Sequence, residues 1–210
     1  MLKIGVIFFI ILLTSCSSTQ IADSWSNDSF SEFEPKQVLI LGATPNTIAK
    51  KIYESELSSA FIKRGINAYE ASNILEPSFT TLEQAETTIN KEVSNLSKLG
   101  FDSVLIATVK GYEEKTPYKG NLFDNNTTFN DFENYYFLNQ HVYFDTDYYD
   151  NYKVFHIETS LFYIGTDNNK DLVWIASYNL INPQKIKNAI KGCNKAILKS
   201  LETAHIIPTL

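Results

Sequence analysis

Two hydrophobic periods take turns along this chain, and each switch between them marks an element. Val38-Leu-Ile-Leu-Gly-Ala43 is an apolar run that ends in small residues, the pattern of a strand buried on both faces. From Thr44-Pro45 the spacing becomes helical, with Ile48, Ile52, Tyr53, Leu57, Ala60 and Phe61 on one side. Thr44 is the expected cap, Pro45 the first helical residue, and Arg64-Gly65 the stop. Ile66 to Ser72 predicts a weaker strand, followed by a loop holding Pro77. A second helix is expected from Thr81. Its stripe is Leu82, Ala85, Ile89, Val93, Leu96 and Leu99, in steps of three and four, and it stops at Gly100. Ser103 to Val109 predicts a third strand.

The second half has another style. Val154 to Ile164 alternates, with Phe155, Ile157, Leu161 and Tyr163 on one face. A turn at 165–169 leads to Leu172–Ile181, so the two runs predict an antiparallel hairpin. Asn182-Pro183 then opens a last helix, residues 184 to 204, with a stripe of Ile186, Ala189, Ile190, Cys193, Ile197 and Leu201. The order β-α-β-α-β-(insertion)-β-β-α predicts an α/β fold. It is a mixed sheet with three helices, the first strand central and the first two helices on opposite faces.

The amino terminus carries a different message. Lys3 precedes an apolar run, Ile4 to Leu13, of ten residues. That is half the roughly 20 a membrane-crossing helix needs and suits the core of a secretory signal peptide. The run ends Leu13-Thr14-Ser15-Cys16, which resembles the bacterial lipobox. The resemblance implies removal of residues 1–15 and acylation of Cys16, including palmitate, giving a multi-chain anchor. Ser17, rather than aspartate, follows the cysteine and favours the outer membrane of a diderm bacterium. Residues 16–35, rich in Ser, Asp and Glu, are expected to be a flexible tether, and residues 36–210 a single domain.

Composition narrows the partners. The formal charge is −6, which argues against nucleic acid and against electrostatic binding to anionic lipid; the membrane is reached through the lipid. The second cysteine, Cys193, sits on a helical apolar stripe and reads as a buried small residue, not a reactive thiol.

The stretches KIYESELSSAFIKRGINAYEAS and LSKLGFDSVLIATVKGY resemble those of uncharacterised bacterial envelope lipoproteins. The element order resembles the small α/β domain of the Tol system's propeller protein and of the curli secretion lipoprotein. This resemblance implies a role in envelope assembly or partner binding and carries over no catalytic residue.

Candidate chemistry is sparse. The loop from Leu41 to Thr47 has the strand-to-helix position of a phosphate site, yet neither G-x-G-x-x-G nor a P-loop lysine. His156, Glu158 and Ser160 share a strand face, but neighbours two apart on a strand lie about 7 Å apart, too far for a relay. His141, His156 and His205 lack zinc-ligand spacing. No cofactor is expected. Residues 117–152 contain twelve Phe or Tyr, six acids and one Lys. Their aromatics, including Tyr118, Phe123, Tyr135, Tyr136, Tyr143, Tyr148 and Tyr149, either cover the core or form a surface for a partner or ligand. Asp145, Asp147 and Asp150 are a weak calcium candidate without the glycine and glutamate of an EF-hand loop. The leading expectation is a non-catalytic binding or assembly module with an envelope protein partner. A glycan- or small-ligand-binding lipoprotein is the alternative, and an envelope-modifying enzyme comes third.

Overall fold

The computed structural model describes residues 19–115, 152–165, 171–181 and 186–210, together with Tyr136. Six strands form one sheet: β1 (Thr19–Ser26), β2 (Gln37–Ala43), β3 (Asn67–Glu70), β4 (Ser103–Lys115), β5 (Tyr152–Tyr163) and β6 (Asp171–Ile181). The helices are α1 (Thr47–Lys63), α2 (Ala71–Ile74), α3 (Pro77–Thr81), α4 (Glu86–Lys98) and α5 (Ile186–Thr203). The strand order is β1-β6-β5-β4-β2-β3. Strands β3, β2 and β4 run parallel, and β5, β6 and β1 add on antiparallel. The expected mixed α/β sheet is therefore present, with β2 between its two crossover partners. The short helices α2 and α3 lie where a loop was expected.

β2 is buried on both faces, and its side chains divide two cores. Val38 and Ile40 join the larger core with Leu57 and Phe61 of α1, Ile197 and Leu201 of α5, and Leu161, Trp174 and Tyr178 of the hairpin. Leu39 faces the other way, into a smaller core with Ala71, Leu75, Leu96, Phe101 and Ile164. So α1 and α5 cover one face and α4 packs on the other, as the sequence pattern predicts. The α5 stripe is buried from Ala189 through Leu201, and Cys193 is a buried thiol within it.

The helix stops follow the glycines. Gly65 and Gly100 have φ of 81° and 91°, the left-handed conformation that costs glycine least. Behind each, a backbone N–H reaches back five residues, Ile66 to Phe61 at 3.1 Å and Phe101 to Leu96 at 3.0 Å, closing a Schellman motif. α5 ends the same way, Ile206 N–H bonding Leu201 at 3.0 Å, but its left-handed residue is His205, at φ 57°.

Three expectations are corrected. Residues 19–26, read as flexible tether, form β1, paired with β6 from Thr19↔Leu180 to Ser26↔Trp174. The cap of α1 is Asn46, whose side chain accepts from Ala49 N–H at 2.9 Å; Thr44 instead accepts from Asn46 N–H at 3.2 Å. The second helix begins at Glu86, not Thr81, so Leu82 precedes it, and its stripe is mostly outside the core: Leu96 is buried, whereas Ile89 and the flanking Leu82 and Leu99 are exposed. Of the helix-opening Asn182-Pro183 expectation, both residues lie outside the described set.

Replacing His205 by Gly relieves a left-handed side chain and is expected to raise unfolding stability by about 0.5–1 kcal/mol, net of glycine's greater unfolded-state entropy. Ile197→Ala, at a residue with no exposed surface, is expected to lower it by about 2–5 kcal/mol. Urea titration of the two variants against wild type checks both.

Candidate functional site

Where β2 ends and α1 begins, the chain places small residues: Gly42 and Ala43 on the strand, Ala49 one turn into the helix. Ala107 lies beside Gly42 on β4. Small side chains on facing elements leave space between the sheet and its helices. The space is a cavity of about 210 Å³, walled by Phe155, Ile157 and Leu180 of the hairpin and by Ile186 and Ile190 of α5. A Cβ on Gly42 would already touch Lys50 Cα and Tyr53 Cδ1, both at 3.4 Å. The slot sits outside the carboxyl end of β2, where open α/β sheets usually hold ligands.

Among the described residues, no side chain in its lining is charged. At the buried end stand Tyr53 and Tyr178, with Cys193 alongside. The Tyr178 and Thr159 hydroxyls hydrogen-bond at 2.8 Å. The Tyr53 hydroxyl is buried and makes no hydrogen bond of good geometry among the described residues, although the Thr159 hydroxyl is near enough to lower its pKa. Burial pushes the Tyr53 pKa well up, and the neighbouring Tyr178 adds to the shift; burial likewise raises that of Tyr178. Both rings are therefore neutral donors at any ordinary pH. A buried polar group left poorly paired is costly, up to about 1–3 kcal/mol, so Tyr53 can gain from an acceptor in the slot.

Glu54, next along α1, holds this end together. It has no exposed surface, and its two oxygens accept from Gly42 N–H at 3.1 Å and Ser72 N–H at 3.0 Å. Ser72 lies in the first turn of α2, which gets no cap from its own preceding residue. One carboxylate thus ties α1 to the end of β2 and to the start of α2.

The residues singled out in the sequence fall elsewhere. His156 Nδ1 lies 2.8 Å from Asn179 Oδ1, and its Nε2 lies 3.3 Å from Glu113. Glu158 pairs with Lys110 at 3.5 Å, and Ser160 is buried. His156 and Glu158 are thus held by different partners. Lys115, and secondarily His156, hold the Glu113 carboxyl below its usual range. His205 caps α5. Tyr136 is about half exposed. Cys16, His141, Tyr118, Phe123, Tyr135, Tyr143, Tyr148 and Tyr149, and the calcium candidates Asp145, Asp147 and Asp150, lie outside the described residues. Among the described residues there is no cluster of three metal-ligating side chains, and no helix is long and apolar enough to cross a membrane. The loop from Leu41 to Thr47, expected to be a plain helix start, does line the slot through Gly42, Ala43, Thr44 and Asn46.

A larger groove, of about 700 Å³, lies at the opposite end of the sheet. Its walls mix the packed rings of Phe30, Phe33 and Tyr163 with Glu32, Glu34, Asp102 and Asp171.

No family model matches the chain, and no curated protein matches it. Among solved structures, the chain is similar to the PelC dodecamer from Paraburkholderia phytofirmans, with 14% identity, a TM-score of 0.44, and 89% of this chain and 96% of that one covered. It is also similar to the lipoprotein GNA1162 from Neisseria meningitidis, with 12% identity, a TM-score of 0.43, and 80% and 99% covered. Scores this low carry no argument about this chain.

Glu54→Ala leaves the N–H groups of Gly42 and Ser72 without their acceptor. A loss of about 2–5 kcal/mol of stability is expected, at the upper end because a buried charge partner is removed with them. Hydrogen exchange at the Gly42 and Ser72 amides should accelerate in that variant more than at the amides of β5.

Proposed function

We propose that this protein is a lipid-anchored binding module of the cell envelope, which holds a small apolar ligand in the slot between α1, α5 and the sheet and performs no catalysis. The observation that carries the reading is the slot itself: apolar walls, no charged lining among the described residues and one buried donor without a hydrogen bond of good geometry there. Ligand pockets have this character, with orientation fixed by a few polar groups. A hydrolase or transferase site needs a nucleophile within reach of a base, and the His156, Glu158 and Ser160 face offers no such contact. Of the two binding roles suggested by the sequence, the slot favours a small ligand over a glycan, since a sugar would need several polar partners. A partner protein in the envelope, met through the aromatic insertion of residues 117–152, remains compatible with this role.

The address rests on the short apolar run and the lipobox-like Leu13 to Cys16. It places the domain at the outer membrane, held by acyl chains on Cys16. Wild-type protein is expected to incorporate radiolabelled palmitate and sediment with membranes, and Cys16→Ala to do neither. A Cys16→Ala chain that still sediments with membranes sinks the anchor.

A further inference from the structure

We propose that the slot takes the aliphatic chain of an uncharged, single-chain amphiphile drawn from the bilayer to which Cys16 anchors the domain, with the amphiphile's oxygen accepting from Tyr53. The source of the ligand rests on the anchor described above; the slot's chemistry does not.

Position is the first argument. β6 runs parallel to β2 and β4, and β1 runs antiparallel to β6. The amino end of β1 therefore lies at the sheet end where β2 and β4 finish, which is the end where the slot opens. Thr19 sits directly opposite Leu180, and Leu180 lines the slot. Cys16 is three residues earlier, and three residues of extended chain span at most about 11 Å. An acylated Cys16 on so short a leash holds this end, and not the opposite groove, against the membrane. Ile48 and Val109, at the same end, are 64% and 46% exposed, apolar surface of the kind a bilayer interface accepts.

Chemistry supplies the second argument. The walls give an aliphatic chain apolar contact and give an ionised head no counter-charge. Tyr53 lies two helical turns inward from the cap Asn46, a depth of about 10 Å. Its hydroxyl, which lacks a hydrogen bond of good geometry among the described residues, offers a small neutral oxygen a donor at the inner end, with the chain running outward to the mouth and the bilayer.

The test uses full-length acylated protein in phosphatidylethanolamine–phosphatidylglycerol vesicles doped with a long-chain fatty alcohol that carries a diazirine in its chain. Flotation reports the anchor; labelled peptides after illumination report the slot. Label is expected in the peptides spanning 42–53 and 186–193. Ala107→Leu should abolish it by filling the slot, and Tyr53→Phe should lower it about five-fold, as loss of one neutral hydrogen bond predicts; unchanged melting temperatures show that both variants fold. The Cys16→Ala chain, given the same probe in vesicle-free buffer, tests the slot without the anchor. Protein that floats but carries label only elsewhere, or none, overturns the proposal and leaves the anchor standing. Protein that fails to float removes the bilayer source, while slot labelling of Cys16→Ala still decides whether an amphiphile binds. Label in Cys16→Ala but not in the acylated chain makes the chain's own acyl group the occupant and overturns the proposal. Equal labelling by the matching fatty acid overturns the uncharged assignment.

Discussion

A strand buried on both faces has to send alternate side chains into two separate cores, and β2 does this at Val38, Leu39 and Ile40. Everything around it follows from that constraint. A parallel neighbour on each side satisfies its backbone, which requires a crossover on each face. α1 closes one face and α4 the other. The antiparallel strands then extend the sheet past β4, and α5 lies beside α1 on the larger core. The smaller core gets only one long helix, and most of that helix's apolar stripe stays outside it.

The same strand also explains why a slot exists. Its carboxyl end opens beside the start of α1, and Gly42, Ala43, Ala49 and Ala107 are too small to fill the space there. Larger residues would pack the core better and remove the space. Glu54 is the compensation for an end that lacks side-chain packing: it fixes Gly42 through a hydrogen bond where a side chain would otherwise do so. The neighbouring Tyr53 contributes area to the core and a donor to the slot.

Much of the fold was legible because local chemistry and global packing agree. The apolar run of β2, the glycine stops at Gly65 and Gly100, the alternation of β5 and the stripe of α5 all name their elements correctly. β1 was not legible. Its sequence, Thr19 to Ser26, holds two large apolar residues, Ile21 and Trp25. The register shifts between Ile21 and Asp23, so the extra residue turns Ile21 toward the core and Trp25 toward solvent. A bulge of that kind erases the period that would mark a strand. What holds β1 is the backbone ladder to β6, which leaves no trace in side-chain pattern. The opposite error occurred at α4, where a clean stripe suggested burial that a small core cannot supply.

The sequence by itself determined where the strands other than β1 and the long helices fall, where those helices stop, and that Cys193 is a core residue. These depend on neighbours a few positions apart. Only the tertiary structure decided which side chains meet. Tyr53, Glu54, Ala107 and Cys193 lie on three elements that touch across the sheet, and no spacing in the chain relates them. Nor does spacing reveal that Thr19 comes to rest beside Leu180, since pairing of the first strand with the last is a product of folding. The slot, its buried Tyr53 donor and its place at the end of the sheet where β1 begins are therefore properties of the packed molecule, while the residues that build it read as ordinary core.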